Sequence, residues 1–261
     1  MHNFELVKPS TVQDAVAALA AEGAQALSGG QTLLPSMKQR LAAPDVLVSL
    51  TGIAEMRGIC LGDRGLAIGG ATTHATIATE ARAHYPALAD QASHIGDPAV
   101  RNRGTIGGSL ANNDPSACYP SAALASGATI VTNQREIAAD DYFQGMFTTA
   151  LDEGEIITSV IFPIPEKAAY VKFAQPASRF ALVGVFVAKY PEGVRVAVTG
   201  ASEEGVFRWA EAEAALSANF SATALDGLSV PAEGMIADLH GSKEYRAALV
   251  KVLTGRAVTA A

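Results

Sequence analysis

Cysteine is nearly absent from this chain of 261 residues: Cys60 and Cys118 are the only two. Two thiols cannot ligate an iron–sulfur cluster, which takes four, and they lack the paired spacing of a zinc site. A disulfide between them is not expected in a reducing compartment. Long apolar runs are missing too. No segment approaches the roughly 18 uninterrupted apolar residues of a membrane span. The first residues, MHNFELVKPST, show no basic region followed by an apolar stretch, so no secretory signal is read there and a cytoplasmic location is expected. Clustered basic residues are absent as well. With 19 Lys and Arg against 26 Asp and Glu, the net charge is −7, which argues against a nucleic-acid partner. His74, His84 and His94 match neither helical ligand spacing, and surface or capping roles are expected for them. What remains is 49% hydrophobic and 17% charged, the composition of a globular protein with one large or two modest domains. No internal repeat or low-complexity tract interrupts it.

Read in order, residues 1–50 give a β-α-β-α-β unit. FELVKP is extended, Ser10 or Thr11 caps the alanine-rich helix that stops at Gly23, and AQALSGG is a strand ending in two glycines. QTLLPSMKQRL is helical for about two turns with Pro35 in the first, and DVLVSL closes the unit. A second unit begins near Gly58 with GLAIGGATTHATIATEA, strand through turn into helix, followed by the helix YPALADQASHIG. TIGGSLANNDPSACYP, Thr105 to Pro120, is too polar for a core strand and too glycine-rich for a helix. SAALASGA reads as a helix and TIVT as a strand. DDYFQGMFTTALDEGEIITSVIFPIP reads as a helix or turn and then a strand. The prolines that follow mark a boundary near residue 165. Beyond it, AYVKFAQ, ALVGVFVAKY and GVRVAVTGA are three strands with hairpin turns. RWAEAEAALSA and SKEYRAALVKVLTGRAV are helices, so this part reads as α+β.

Two glycine-rich loops could carry chemistry. In Ser28 to Pro35, a strand ends and a helix begins, and backbone N–H groups in such a turn can converge on an anion with help from the helix dipole. Gly29 and Gly30 would let a pyrophosphate approach closely, although a tight turn needing positive φ would use glycine equally. The pattern is neither G-x-G-x-x-G nor a Walker A loop, which excludes a Rossmann or P-loop nucleotide site of the usual kind. In the second loop, Thr105, Ser109, Asn112, Asn113 and Asp114 could hydrogen-bond a polyhydroxylated chain, and Gly107 and Gly108 could admit a further phosphate contact. The alternative is a structured Asx-rich turn. Two such loops far apart in sequence suggest one long ligand of dinucleotide length lying between subdomains.

LSGGQTLLPSMKQRL, VRNRGTIGGSLANNDP and FQGMFTTALDEGEIITSVIFP, in that order, resemble the three signature segments of the FAD-binding medium subunits of molybdenum hydroxylases. That family includes the carbon monoxide dehydrogenase medium subunit and the flavin domain of xanthine dehydrogenase. DLHGSKEYRAALVKVLTGRAV resembles the family's closing helix, so the similarity covers nearly the whole chain. It implies an α+β fold. A vanillyl-alcohol-oxidase-type FAD-binding region over 1–165, in two α/β subdomains (about 1–55 and 56–165), precedes a small α+β domain over 166–261. It also implies roles. Ser28, Gly29, Gly30, Gln31, Thr32 and Leu33, with Thr105, Gly107, Gly108 and Ser109, would surround the pyrophosphate and neighbouring parts of FAD. Asn112 and Asp114 sit in the polar tail of the second motif, and Ile157 corresponds to an apolar residue near the adenine, though a plain core role is open for it. Relatives commonly read Asp-Pro-x-x-Asp-x-Pro after the second motif, whereas here Cys118 stands at the second acid, a poor acceptor at a contact with the ribityl or flavin region.

The resemblance implies an electron-transfer subunit. A large partner subunit would hold the molybdenum cofactor, a small one two [2Fe–2S] clusters, and this chain would pass electrons through FAD to an external acceptor, within an expected dimer of heterotrimers. Two other readings stay open at this point: a stand-alone flavin-dependent oxidoreductase of the same superfamily, and a non-catalytic module that has lost its flavin.

Overall fold

The computed structural model describes residues 1–261. The first unit comprises β1 (Glu5–Val7), α1 (Val12–Leu19), β2 (Ala24–Leu27), α2 (Leu33–Lys38) and β3 (Val46–Ser49). β3 lies between β1 and β2 and pairs with both in parallel, the pairing that helical β-α-β crossovers allow. Thr11 caps α1 by accepting the Asp14 N–H at 3.1 Å, and Gly23 turns the chain at φ 71°. Ala15, Val48, Leu50, Ile53 and Met56 form a small core with Ala71 and Ile156 from the next unit.

That next unit holds β4 (Ile59–Gly62), β5 (Gly65–Gly69), α3 (His74–Glu80), α4 (Pro86–Ser93), α5 (Pro98–Arg101), α6 (Ile106–Asn112) and α7 (Tyr119–Ser126). It continues with β6 (Thr129–Thr132), β7 (Glu136–Ala138), α8 (Ala139–Tyr142), the hairpin β8 (Phe143–Gly145) and β9 (Thr148–Thr149), and β10 (Ile157–Phe162). Its sheet runs β4-β5-β10-β6-β7, antiparallel throughout. The last strand of the unit therefore sits at its centre.

One expectation from sequence fails here. The stretch judged too rich in glycine for a helix contains α6. Thr105 caps it, accepting the Gly108 N–H at 3.2 Å, and Asn113 ends it in the left-handed conformation at φ 43°. Gly107 is in this helix because of packing. A Cβ there would stand 2.6 Å from the Gly70 carbonyl oxygen, which also accepts the Gly107 N–H at 2.9 Å. The packing gained outweighs the roughly 1 kcal/mol that glycine costs in a helix interior.

The remaining chain forms an antiparallel meander of β11 (Lys167–Ala174), β12 (Ala181–Tyr190), β13 (Gly193–Ser202) and β14 (Gly205–Arg208), followed by α9 (Ala210–Ala218) and α10 (Lys243–Ala260). ALVGVFVAKY reads as a continuous apolar run because both faces of β12 are buried. Val183, Val185 and Val187 join Trp209, Leu216, Val250 and Leu253 in a core with α9 and α10. The alternate residues Phe186, Ala188 and Tyr190 enter the main core with Tyr85, Tyr119 and Phe162. A period of two thus sorts one strand between two cores. No helix is long and apolar enough to cross a membrane.

Candidate functional site

The two glycine-rich loops meet. Ser28 Oγ and Thr105 Oγ1 are 2.7 Å apart, and a Cβ on Gly29 would lie only 2.1 Å from the Arg103 carbonyl oxygen. Glycine at 29 therefore serves the contact between the loops. Together they border a cavity of about 680 Å³, within the roughly 300–1,000 Å³ of small-molecule sites. Ser28, Gly29, Gly30, Gln31, Thr32, Leu33, Thr105, Gly108, Ser109, Asn112, Asp114, Cys118 and Ile157 all line it. Gly107 does not; it faces Gly70 in the interior.

The loops offer different things. No acceptor in the chain takes the backbone N–H of Gly29, Gly30, Gln31, Thr32 or Leu33. Five consecutive donors at the start of α2, with Gly30 at φ 70°, are thus left free for an outside acceptor. At α6 the corresponding donors are occupied. Ile106 donates to the Thr72 carbonyl, Gly107 to Gly70 and Gly108 to Thr105 Oγ1. The second loop thus contributes hydroxyls and a small-residue wall, in which an added Cβ on Gly108 would press on Thr105 Oγ1 at 3.1 Å.

Several wall residues were not singled out from sequence. His74 was expected at the surface or in a cap; it is 4% exposed and lines the cavity. Its ring is 5.2 Å from that of Tyr119, and neither its Nδ1 nor the Tyr119 hydroxyl has a partner. A signal was present: Gly69-Gly70 followed by Thr72-Thr73 repeats the glycine-then-hydroxyl pattern of the other two loops. Burial, reinforced by the Arg101 charge, lowers the pKa of His74 to about 4, so the ring is neutral near pH 7. Stability should fall as pH drops from about 6.5, where a free histidine titrates, through about 4, because the unfolded chain takes up the proton first. A His74→Phe variant should lose that part of the slope in melts recorded from pH 7 to 4; an unchanged slope would mean the ring is solvated.

Two carboxylates differ in environment. Glu155 is held at a pKa of about 2, first by the Arg135 guanidinium and then, against its burial, by the Asp152 N–H and Thr132 hydroxyl. Asp114 is pushed up by burial, although the Ser116 N–H at 2.8 Å opposes this. Beyond Asp114, the Cys118 thiol is buried with Lys172 Nζ 3.6 Å from Sγ. That ammonium also donates to the carbonyls of His94 (2.7 Å) and Arg179 (2.8 Å). A carboxylate at position 118 would face this cation directly. Ser178, Arg179 and Phe180, at the β11–β12 turn, complete the wall. No group of three or more His, Cys, Asp or Glu side chains is placed to hold a metal ion.

Residues 2–165 match the family described as the FAD binding domain in molybdopterin dehydrogenase. The chain belongs to this family. It is 34% identical to the nicotine 6-hydroxylase medium subunit of Paenarthrobacter nicotinovorans, over 97% of this chain and 95% of the relative. It is 33% identical to the carbon monoxide dehydrogenase medium chain of Afipia carboxidovorans, over 98% and 96%. Among solved structures, quinoline 2-oxidoreductase from Pseudomonas putida 86 superposes with a TM-score of 0.89 at 30% identity, covering 100% of this chain and 97% of that one. The cofactor of this FAD-binding family fits the residues present. Five bare N–H groups suit a diphosphate, the space beside Gly108 leaves room for it, and Leu50, Met56, Ile156 and Ile157 give the cavity an apolar part.

Proposed function

We propose that this chain is the electron-transfer subunit of a molybdenum hydroxylase, carrying electrons from the [2Fe–2S] clusters of a small partner subunit to an external acceptor. The row of unpaired N–H groups from Gly29 to Leu33 carries this reading, since it supplies what a bound diphosphate needs and nothing in the chain uses it. In our proposal those groups hold the pyrophosphate, with Ser28, Thr105 and Ser109 beside it. Asn112 and Asp114 face the polyol chain, Cys118 lies near the flavin end, and Ile157 lies near the adenine. Bound FAD supplies chemistry that exchanges electrons singly or in pairs. The protein's part is to bind and orient it and to limit water around it. Both Cys60 and Cys118 are free, and the chain offers no cluster ligands, which favours partners that hold the iron and molybdenum. We assign the cofactor to a region spanning 1–165, with subdomains meeting near residue 55, and the rest to a domain over 166–261. Lys172, Ser178, Arg179 and Phe180 are the only cavity residues past 165, which supports that division.

The test is co-expression with a molybdenum subunit and a two-cluster subunit. The three should copurify from the cytoplasmic fraction as a dimer of heterotrimers, and organic substrate should bleach the flavin absorption of the complex but not of the isolated chain. Substrate turnover by the solitary chain would refute the assignment.

A further inference from the structure

Two hydrogen-bond donors converge on the buried sulfur of Cys118, just before α7. Lys172, on β11, holds its ammonium 3.6 Å from Sγ, and no carboxylate lies within ion-pair distance of it. Tyr170 is two residues earlier on the same strand and so on the same face, with its hydroxyl beside the same sulfur. That hydroxyl has no hydrogen-bond partner, although the residue is only 7% exposed and does not line the cavity. Leaving a buried hydroxyl unpaired is costly, yet Gly184 makes room for this one, since a Cβ there would stand 2.5 Å from the hydroxyl oxygen. Burial first, and then the adjacent sulfur, push the Tyr170 hydroxyl well above its usual pKa, so it remains a donor. Gln91 Nε2 holds the Cys118 backbone by donating to its carbonyl at 2.9 Å. A charged donor and an unpaired neutral one thus face a sulfur, which accepts hydrogen bonds poorly. An anionic oxygen on that sulfur would satisfy both.

We propose that Cys118 is a redox modification site, oxidised by peroxide to a sulfenate whose oxygen is held between the Lys172 ammonium and the Tyr170 hydroxyl. The sulfur attacks one oxygen of hydrogen peroxide, and the S–O bond forms as the O–O bond breaks. The second oxygen leaves as hydroxide and takes up the thiol proton to become water. Sulfur loses the two electrons that the peroxide gains, and the sulfenic acid gives its proton to solvent. Because Tyr170 lies behind the cavity wall, the new oxygen is held within the wall and not in the space of the cofactor. Cys60 supplies the contrast. It is exposed, and the Leu61 carbonyl at 3.7 Å is the one hydrogen-bond partner of its sulfur. Exposure alone favours oxidation at Cys60, whereas the two donors favour a lasting sulfenate at Cys118. Reduced flavin and dioxygen would supply peroxide in this cavity, but the modification does not rest on the assignment of FAD, because peroxide can be added.

The test uses the full chain as purified. Its flavin content is read from the absorption spectrum first, so the cofactor assignment is judged separately. In a Cys60→Ser background, millimolar hydrogen peroxide should add one oxygen atom to the intact mass. The adduct should map to Cys118, react with dimedone once the chain is unfolded, and be removed by a thiol reductant. Cys118→Ser in the same background should gain no oxygen. Lys172→Met and Tyr170→Phe each remove one donor with little change in volume, and thermal melts check their folding. In each, the sulfenate should pass to higher oxides at least about tenfold faster, the scale of one charge-assisted hydrogen bond. If Lys172→Met does not fold, Tyr170→Phe carries the comparison alone. An unmodified Cys118 after peroxide treatment would overturn the proposal, as would a sulfenate equally long-lived with and without these donors.

Discussion

A valine at position 108 should yield a folded protein that no longer holds FAD. A Cβ added to Gly108 meets Thr105 Oγ1 at 3.1 Å and Ser28 Cβ at 3.6 Å, and no backbone atom beyond its own helix within 4 Å. Both neighbours are side-chain atoms of the cavity wall, so the branched methyls must project into the space beside them. Valine is a better helix former than glycine, which offsets the crowding of the Thr105 hydroxyl that caps α6. Overpacking a filled site costs up to about 3 kcal/mol, or about 100-fold in Kd. The neighbouring glycines make poor tests. Alanine at Gly29 would collide with the Arg103 carbonyl at 2.1 Å and at Gly107 with the Gly70 carbonyl at 2.6 Å, and both should fail to fold. Gly30 combines φ 70° with Leu34 at 2.8 Å, so a loss of binding there would have two explanations. The measurement pairs a thermal melt with a flavin titration. A Gly108→Val chain that melts like wild type and binds FAD with unaltered Kd would remove α6 from the site.

The contrast between these glycines marks the limit of what the sequence reveals. Glycine-glycine at a strand–helix junction announces a special backbone, and both loops were legible on that basis. Which glycine makes room for a ligand and which for another part of the chain depends on what the fold brings opposite. Residues 70 and 103 are not neighbours of 107 and 29 in sequence. The helix over Ile106–Asn112 was hidden for the same reason: intrinsic propensity argues against it, and the docking of Gly107 on Gly70 overrides that propensity. β14 and the edge strands β4 and β7 are three or four residues long, too short for a period of two to register. By contrast, β12 and α10 announced themselves by length and apolar content. Lys172 and Arg179 were illegible as site residues because a strand end and a hairpin turn are ordinary places for charge. Only the closure of the β11–β12 turn over His94 to Gly96 brings them to the cavity wall.

Arg246 carries the other large effect. Replacing it with methionine should destabilise the protein by about 1–3 kcal/mol for each buried carbonyl that loses its donor, since the Asp238 carboxylate left behind is exposed enough to be solvated. The side chain is only 2% exposed, within the helix read from SKEYRAALVKVLTGRAV. Its Nη1 donates to the carbonyls of Leu182 (2.7 Å) and Gly200 (2.8 Å), and its Nη2 to Asp238 Oδ2 at 2.7 Å. Methionine fills similar volume and donates nothing to either carbonyl. The damage should travel toward the cofactor cavity. Gly200 sits at φ 82°, with its N–H on the Pro115 carbonyl at 2.7 Å, and the adjacent Thr199 hydroxyl donates to the carbonyls of Pro115 and Ala117. These bonds shelve the segment between Asp114 and Cys118 on β13. A loosened Gly200 should therefore weaken FAD as well as lower stability. Thr199→Val separates the two effects, since it removes the hydroxyl from the shelf and leaves Arg246 satisfied. Denaturant unfolding and flavin titration on both variants decide the matter. Arg246→Met should lose stability and affinity together, and Thr199→Val should lose affinity with a smaller stability change of about 1 kcal/mol. If Arg246→Met unfolds at the wild-type denaturant midpoint, water must reach those carbonyls and the buried cation is not the anchor of this face.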